Sequence, residues 1–554
     1  MLLQIFLCGL FSAAMLGQQG KPPVQETGNF QITGTVVDAG TNQLLSSARV
    51  VIAPITKRDA FTVVVTGQNG SFSFSNLTPG KYSLSAQRRG YLTQGFNQHD
   101  QFASAIAVGP GMDSGNLVFR MTADASISGM VMDEEGEAVR DAHVMLYQNA
   151  TANGSTQTRY RTSTVTNDEG HYHFGHLQAG KYFVAVSARP WYAQHPQQPR
   201  VIPSQGAIES SAGRLDDNED IESGPQSPLD VAYPLTFYAN ATDASSATPI
   251  VLGKGEKVSA DVSLHPVPAV HIRFSSESAD QQFSYANLEV KLFDETPVPI
   301  QAQNMPIAPG VLELSGIPPG HYTAKINTLN NGKLSGPQEQ EIDVAGSGTI
   351  EKGPASTAVP VVATVHFEPT GVIPEQLALQ LRDKKSTQVF SESIGSKGEV
   401  EFKSGPPPGN YEISVQSGRD IFIKNIHADG GKLTGRTLAI KSDNAVKLTV
   451  TLAGGRGDVS GVATREGKPF PGAMVVLVPA DPANNHVLFR RDQSDSDGSF
   501  RLAGVVPGQY TLLAIDDGWD LEWANPEVLK KFMTQGERVT VEPRGRYSIK
   551  VKVQ

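Results

Sequence analysis

The chain has 554 residues, which predicts several domains rather than one. It is 39% hydrophobic and 18% charged, with a net charge of −10, and these values argue against extensive disorder and against a basic nucleic-acid-binding surface. The single cysteine, Cys8, lies near the N-terminus. A disulfide scaffold or a cysteine-based metal site in the rest of the chain is therefore excluded.

Residues 1–20 are predicted to be a signal peptide and the start of a linker. Residues 2–16 are mostly apolar and uncharged, and the run is shorter than the stretch of about 20 residues that a membrane-spanning helix needs. Ser12, Ala13 and Ala14 supply the small residues of a cleavage site, although no Lys or Arg precedes the run. The alternative is a buried N-terminal strand. After cleavage, we expect a chain without an integral membrane segment that is secreted, periplasmic or on the cell surface.

A five-fold repeat organises the chain after residue 28. Each copy has a turn glycine, then alternating apolar residues, then a second glycine followed two residues later by a tyrosine. The turn glycines and tyrosines are Gly70 with Tyr82, Gly170 with Tyr182, Gly310 with Tyr322, Gly398 with Tyr411, and Gly498 with Tyr510. This pattern predicts a hairpin turn, a half-buried strand and a second tight turn. We expect the tyrosine hydroxyl to bond to nearby backbone.

Each copy spans roughly ninety residues of short strands, which is typical of a β-sandwich. We therefore predict an all-β chain, a string of about five transthyretin-like or immunoglobulin-like sandwiches. The predicted domains are 28–122, 123–267, 268–355, 356–453 and 454–554, with degenerate first halves in the third and fourth. The second contains a polar, acidic insert at about 195–230 that we expect to be mobile. A helix over 526–532, capped by Asn525, is expected in the last domain.

The repeat resembles the carboxypeptidase regulatory-like domain, a transthyretin-like sandwich of seven strands that is found in tandem in secreted bacterial proteins. In the first copy the resemblance rests on Gly34, Ala48, Gly70, Phe72, Phe74, Leu77, Pro79, Gly80 and Tyr82. The last copy, from Val459 onward, is the most similar. Such domains are classed with carbohydrate-binding-like folds, so the resemblance implies binding rather than catalysis, although a fold does not by itself fix function.

The sequence contains no motif that predicts an enzyme. None of the 12 histidines has a glutamate three positions later, as a zinc carboxypeptidase requires, and no nucleophile elbow or phosphate-binding loop occurs. We therefore expect no catalytic residue, no cofactor and no metal. His171 and His173 are a weak metal candidate because they share one face of a strand, and an exposed polar face is the favoured interpretation.

Aromatic residues recur nine positions after the tyrosine in three copies. They are Tyr91, Trp191 and Trp519, and Trp523 lies close to the last of them. Each follows the strand that begins near the tyrosine, so we expect them in loops at one end of each sandwich. An exposed ring would stack on a sugar, whereas a buried ring would cap the core, and capping is the favoured interpretation because large aromatic side chains are mostly buried. The polar neighbours of Trp519 favour an open rim, while Leu521 and Trp523 favour a cap.

The sequence thus predicts a non-catalytic secreted or envelope protein that binds a ligand, with carbohydrate as the favoured class. Its predicted site residues are the four loop aromatics Tyr91, Trp191, Trp519 and Trp523. The alternative is a structural spacer that makes protein–protein contacts through its edge strands. The expected partners are polysaccharide or envelope proteins, and not nucleic acid. Exposure of Trp191 and Trp519 distinguishes the two interpretations.

Overall fold

The computed structural model describes residues 28–152, 154–195, 227–275, 281–293, 296–308, 311–330, 333–334, 338–351, 359–369, 371–385, 388–402, 405–418, 420–441 and 445–554. The fold is all-β, with five successive sandwiches that each enclose a hydrophobic core. We call them units 1 to 5, with strands inside 30–121, 125–268, 270–351, 361–454 and 457–552. The predicted signal peptide and positions 196–226 of the predicted insert lie outside the described residues.

Every unit has the same two-sheet plan. In one sheet the opening strand lies between the strand after the turn glycine, which is antiparallel to it, and a closing strand, which is parallel to it. In the other sheet the second strand lies between the third strand and the corner strand, which begins at the second glycine. Both ends of each unit therefore meet in one sheet.

The first sheets contain the opening, turn and closing strands. The opening strands are Phe30–Asp38, Ala125–Met132, Val270–Ser275, Val361–Glu368 and Gly457–Arg465. The strands after the turn glycine are Ser71–Leu77, His171–Leu177, Val311–Ile317, Glu399–Phe402 and Ser499–Val505. The closing strands are Leu117–Met121, Lys257–Ser259 with Val262–Ser263, Gly348–Glu351, Val446–Gly454 and Arg546–Lys552.

The second sheets contain the second, third and corner strands. The second strands are Arg49–Pro54, His143–Ala152, Gln281–Leu292, Leu377–Asp383 and Met474–Pro479. The third strands are Thr62–Val65, Ser155–Val165, Thr296–Pro299, Val389–Ser393 and Arg490–Gln493. The corner strands are Gly80–Gln87, Gly180–Ser187, Gly320–Asn330, Gly409–Ser417 and Gly508–Ile515.

Shorter elements complete the sheets and their connections. The remaining strands are Gln94–Gly95, Ile106–Val108, Val231–Ala232, Thr236–Phe237, Ile250–Leu252, Val267–Pro268, Gln303–Ala308, Lys333–Leu334, Gln338–Val344, Ile421–Asp429, Lys432–Thr434, Thr437–Ile440, Lys468–Pro469 and Glu537–Val541. Two 3-10 turns occur at Ala244–Ser246 and His486–Leu488. Units 3 and 4 have complete opening and second strands, although their first-half sequence motifs are degenerate.

The tyrosine of every repeat makes the predicted backbone bond. Each hydroxyl donates to the carbonyl oxygen four residues earlier, at 2.6–2.9 Å, in the pairs Tyr82–Thr78, Tyr182–Gln178, Tyr322–Pro318, Tyr411–Pro407 and Tyr510–Val506. All five rings are buried in their unit's core. Burial raises the pKa of Tyr322 to about 12, so its hydroxyl stays protonated as a donor at neutral pH.

The predicted helix is present at Pro526–Met533, and its N-cap is Asn525, whose side chain accepts a hydrogen bond from the Glu527 N–H at 3.1 Å. Leu529 is buried and anchors the helix to unit 5. No helix in the described part of the chain has the length and apolar character needed to cross a membrane.

Unit 1 docks on unit 5, so the string folds back on itself. Ser104 Oγ donates to the Ser494 carbonyl at 2.9 Å across a separation of 390 residues. The Ser496 N–H donates to the Ala105 carbonyl at 3.0 Å. Lys81 Nζ lies 2.5 Å from Asp495 Oδ2. These bonds join the edge of unit 1 to the turn that precedes strand Ser499–Val505, so that turn serves as a docking surface.

Unit 5 also contacts units 2 and 4. The Ala524 N–H donates to the Gly154 carbonyl in the hairpin of unit 2 at 3.2 Å. Gly154 has a φ of +81°, and a Cβ there would lie 2.3 Å from Ala524 Cβ, so this close approach requires glycine. The Arg436 N–H of unit 4 donates to the Asn484 carbonyl at 3.0 Å. Unit 5 is therefore the hub on which three other units meet.

Candidate functional site

Tyr91, the first predicted site residue, packs against the core of unit 1. Its hydroxyl donates to Asp38 Oδ2 at 3.0 Å, and the Arg88 guanidinium lies 5.1 Å from the ring centre. Burial, followed by the bond to Asp38, raises the pKa of Tyr91. Its own unit already uses the hydroxyl and part of the ring, so Tyr91 is not an open platform for a sugar.

Trp519 is buried at the junction of units 1 and 5, with 8% of its surface exposed. His99 of unit 1 stacks on the indole at 4.8 Å between ring centres, and Phe102 lies 5.9 Å away. The indole N–H donates to the Gly472 carbonyl at 3.2 Å. Of the two interpretations, the open rim is wrong for Trp519, because unit 1 covers the ring. It forms a cap with Leu521 and Trp523, as the alternative predicted, and unit 1 completes that cap.

Trp191 occupies the corresponding loop of unit 2 and is 88% exposed. Its ring meets Tyr192 edge-on at 5.8 Å. The hydroxyls of Tyr192 and Tyr233 both donate to the Glu134 carboxylate, the second at 2.9 Å. Trp191 is therefore a solvent-exposed ring that packs against Tyr192, and Tyr192 is itself held by its hydrogen bond to Glu134.

Trp523 lines a cleft of about 640 Å³ formed by units 2, 4 and 5. The indole is half-buried, with His486 inclined by 27° to it at 6.1 Å and Phe489 edge-on at 5.8 Å. The Arg491 guanidinium lies 4.6 Å from the indole centre. These contacts fix the orientation of Trp523, which makes it a preorganised aromatic wall of the cleft.

Charged side chains from two other units line the same cleft. Arg159 comes from unit 2, and Arg382 and Lys384 come from unit 4. Glu412 contributes a carboxylate to the cleft lining, and its Oε1 accepts a hydrogen bond from the Val487 N–H at 2.8 Å. Burial raises the pKa of Glu412 and so disfavours its charged form. The balance of charge therefore suits a polar or anionic ligand.

His171 and His173 point outward from the strand His171–Leu177, as predicted, and both are exposed. Tyr172 and Phe174 alternate with them and are buried in the core. The histidine and carboxylate group that could hold a metal in the described part of the chain lies elsewhere, at His195, Asp230 and His271.

A buried network of ionisable groups joins units 2 and 3. His195 Nδ1 lies 2.7 Å from Asp230 Oδ1, and His271 Nε2 lies 2.7 Å from Asp230 Oδ2. His271 Nδ1 lies 3.5 Å from Glu313 Oε1, and Arg273 Nε donates to Glu313 Oε2 at 2.8 Å. Four of the five side chains are at most 7% exposed.

Sequence reasoning missed this network. It placed His195 and Asp230 in the mobile insert, whereas both side chains are buried at the insert's two ends. No spacing pattern connects them to His271, because the network joins two units. The available signal was Glu313, the one charged residue in the strand Val311–Ile317, where it lies between Leu312 and Leu314.

Comparison with solved structures finds two bacterial pilins and one further bacterial protein at low similarity. The Bacillus anthracis TIE protein is 11% identical, with 77% of this chain and 75% of that chain covered and a TM-score of 0.17. A streptococcal ancillary pilin is 12% identical, with 58% and 99% covered and a TM-score of 0.18. The major pilin subunit BcpA of Bacillus cereus is 10% identical, with 60% and 99% covered and a TM-score of 0.14. At these scores the similarity supports no inference about function.

Comparison with protein families confirms the resemblance in the N-terminal part of the chain. The chain matches no curated protein. The sequence model of the carboxypeptidase regulatory-like domain matches residues 31–121 and 126–207, which include the strands of unit 1 and the first half of unit 2. The chain therefore carries a tandem pair of carboxypeptidase regulatory-like domains.

Proposed function

We propose that the chain is a non-catalytic, secreted or envelope-associated binding module whose ligand is a carbohydrate. The ligand would lie in the cleft between units 2, 4 and 5, with Trp523 as its aromatic wall. The observation that carries the proposal is this combination of a preorganised indole with charged side chains in one concave site. Sugar rings present apolar faces that stack on aromatic rings, and hydroxyls that bond to charged groups.

The charge of the cleft favours an anionic sugar over a neutral one. Arg159, Arg382 and Lys384 are cationic, while burial disfavours the charge on Glu412. An arginine guanidinium pairs with a carboxylate or sulfate through two parallel hydrogen bonds. A uronic-acid or sulfated polysaccharide therefore fits the lining better than a neutral glucan.

The protein-contact alternative is supported by Trp191. A solvent-exposed tryptophan that packs edge-on against a neighbouring tyrosine is a typical anchor for a protein interface. Trp191 lies in unit 2 but is not among the residues that line the cleft. The two functions can therefore be tested with separate variants.

A glycan array probed with the chain tests the proposal directly. We expect retention of anionic glycans, a strong loss in Trp523→Ala, and a weaker loss in Arg382→Ala. Arg382 is exposed, so its replacement should leave the free energy of unfolding unchanged and separate binding from folding. Trp191→Ala is the matched control, because it removes the same ring from a different surface.

Three results distinguish the interpretations. Loss of binding in Trp523→Ala and Arg382→Ala, but not in Trp191→Ala, supports the cleft. Loss in Trp191→Ala alone moves the sugar site to the exposed loop of unit 2. Absence of any glycan binding by the unmodified chain overturns the carbohydrate proposal in favour of the structural one.

A further inference from the structure

We propose that His195, Asp230 and His271 form a binding site for a transition-metal ion such as Zn²⁺ at the junction of units 2 and 3. One donor atom from each side chain lies within 4.8 Å of the others. Zinc accepts imidazole nitrogen and carboxylate oxygen at about 2.0–2.2 Å, so its ligands must be gathered this closely. Two histidines with one carboxylate also suit Co²⁺ and Ni²⁺.

The surroundings of His271 resemble the support that proteins give to metal-bound histidines. Its Nδ1 faces Glu313, and Arg273 holds that carboxylate at 2.8 Å. A carboxylate on one ring nitrogen fixes the imidazole and leaves the other nitrogen for the metal. Here the remaining nitrogen, Nε2, points at Asp230.

The buried charges also favour a cation. Asp230 and Glu313 are nearly inaccessible, and Arg273 supplies one positive charge for two carboxylates. Burying uncompensated negative charge is costly, so the site requires a further positive charge. A divalent ion supplies it with both histidines neutral, and protonation of His195 or His271 is the competing solution.

The fold leaves space for the His195 imidazole at the junction of the two units. Gly316 has a φ of +74°, and a Cβ there would lie 2.5 Å from His195 Nε2, so the backbone of unit 3 makes room for the imidazole. His195 also borders a cavity of about 20 Å³. That volume holds one water molecule beside His195, whereas Asp230 and His271 do not line the cavity.

A metal ion at this site would make the contact between units 2 and 3 depend on metal binding. His195 and Asp230 come from unit 2, whereas His271 lies on the opening strand of unit 3. An ion bound by all three would fix the angle between the units.

The test is titration of the chelator-treated full chain with Zn²⁺ and Co²⁺. We expect one ion per chain, a rise in melting temperature with metal concentration, and a visible Co²⁺ absorption band. Glu313→Gln should lose about 10–100-fold in affinity, and His271→Gln, which removes a ligand itself, should lose more. The double variant His171→Ala/His173→Ala is the control, because these exposed histidines should contribute nothing.

The Co²⁺ spectrum of the unmodified chain keeps the test valid if His271→Gln does not fold. Absence of both the Co²⁺ band and stoichiometric Zn²⁺ binding overturns the proposal. So does metal binding that survives in His271→Gln but is lost in His171→Ala/His173→Ala. A melting temperature that depends on pH but not on metal would assign the network to a protonated histidine instead.

Discussion

Trp191 and Trp519 occupy the same position in the repeat, and they have opposite environments. Each lies nine residues after the repeat tyrosine of its corner strand, which we call the corner tyrosine. Trp191 is 88% exposed in the loop of unit 2, whereas Trp519 is 8% exposed in the loop of unit 5. Each loop follows its corner strand, so the loops of the two units correspond. What differs is the neighbour, because His99 and Phe102 of unit 1 cover Trp519.

This difference distinguishes the features that the repeat sequence determines from the features that depend on contacts between units. The repeat places an aromatic ring at one end of a sandwich. Whether that ring becomes an interface residue or stays exposed depends on which unit packs there. The corner tyrosines provide the opposite case, since their partner is local and all five make the same bond.

The largest expected effect is at a corner tyrosine, where the repeat alone sets the role. Tyr510→Ala should lower the free energy of unfolding of unit 5 by about 3–5 kcal/mol, because it empties a large aromatic site in the core. Chemical denaturation measures this change. Tyr510→Phe is the control and should lose only about 1 kcal/mol with its hydrogen bond. Equal losses in both variants would contradict a packing role for the ring.

Trp519→Ala should come next, with a loss of at least about 3 kcal/mol in the free energy of unfolding of unit 5. The ring is buried, and its removal leaves a cavity between units 1 and 5. The same variant should make unit 1 easier to cleave by protease, since its docking surface is damaged. An unchanged free energy of unfolding would indicate instead that Trp519 lies on an open rim, as its polar neighbours suggested.

Tyr91→Phe tests the third member of this position. The ring stays in place, and the variant removes only the hydroxyl bond to Asp38. We expect a loss of about 1 kcal/mol in the free energy of unfolding of unit 1, the usual value of one hydrogen bond. An effect as large as that of Trp519→Ala would show that Tyr91 does more than bond within its own unit.

The smallest effect is expected for Trp191→Ala. The ring is exposed, so the free energy of unfolding should change by no more than about 0.5 kcal/mol. Thermal denaturation beside Trp519→Ala measures the contrast between the two positions. A loss above about 2 kcal/mol would mean that Trp191 is buried in solution, and the comparison would fail.

The local part of this architecture was predictable from the sequence. Turn glycines, alternating apolar residues and the tyrosine bond depend on contacts within one copy, and the capped helix at Pro526–Met533 depends on adjacent residues. Their physical causes are visible in a short stretch of chain. The sequence left open whether Trp519 is exposed or buried, because the rings that cover it, His99 and Phe102, belong to a different unit.

The cleft and the histidine network could not be predicted for the same reason. Trp523 was selected for its loop, but Arg159 and Arg382 come from units 2 and 4. His195 was assigned to a polar insert, whereas Asp230 and unit 3 bury it. Sites that several repeats build together leave no spacing pattern in any one of them.

A zero-length carbodiimide crosslink tests most directly whether the first and last units of the chain touch. This reagent activates a carboxylate and joins it to a primary amine as an amide, with release of a urea, only where the two groups are in contact. Lys81 Nζ lies 2.5 Å from Asp495 Oδ2 and 3.4 Å from Asp497 Oδ1. Lys424 and Glu368, 2.5 Å apart within unit 4, provide an internal positive control.

We expect a crosslinked peptide pair that contains Lys81 and the segment with Asp495 and Asp497, formed within single chains at every protein concentration. Lys81→Arg keeps the charge but lacks the reactive amine, so it should abolish this product alone. If Lys424 is linked to Glu368 while Lys81 is linked to nothing in unit 5, the docked arrangement is contradicted, and with it the burial of Trp519.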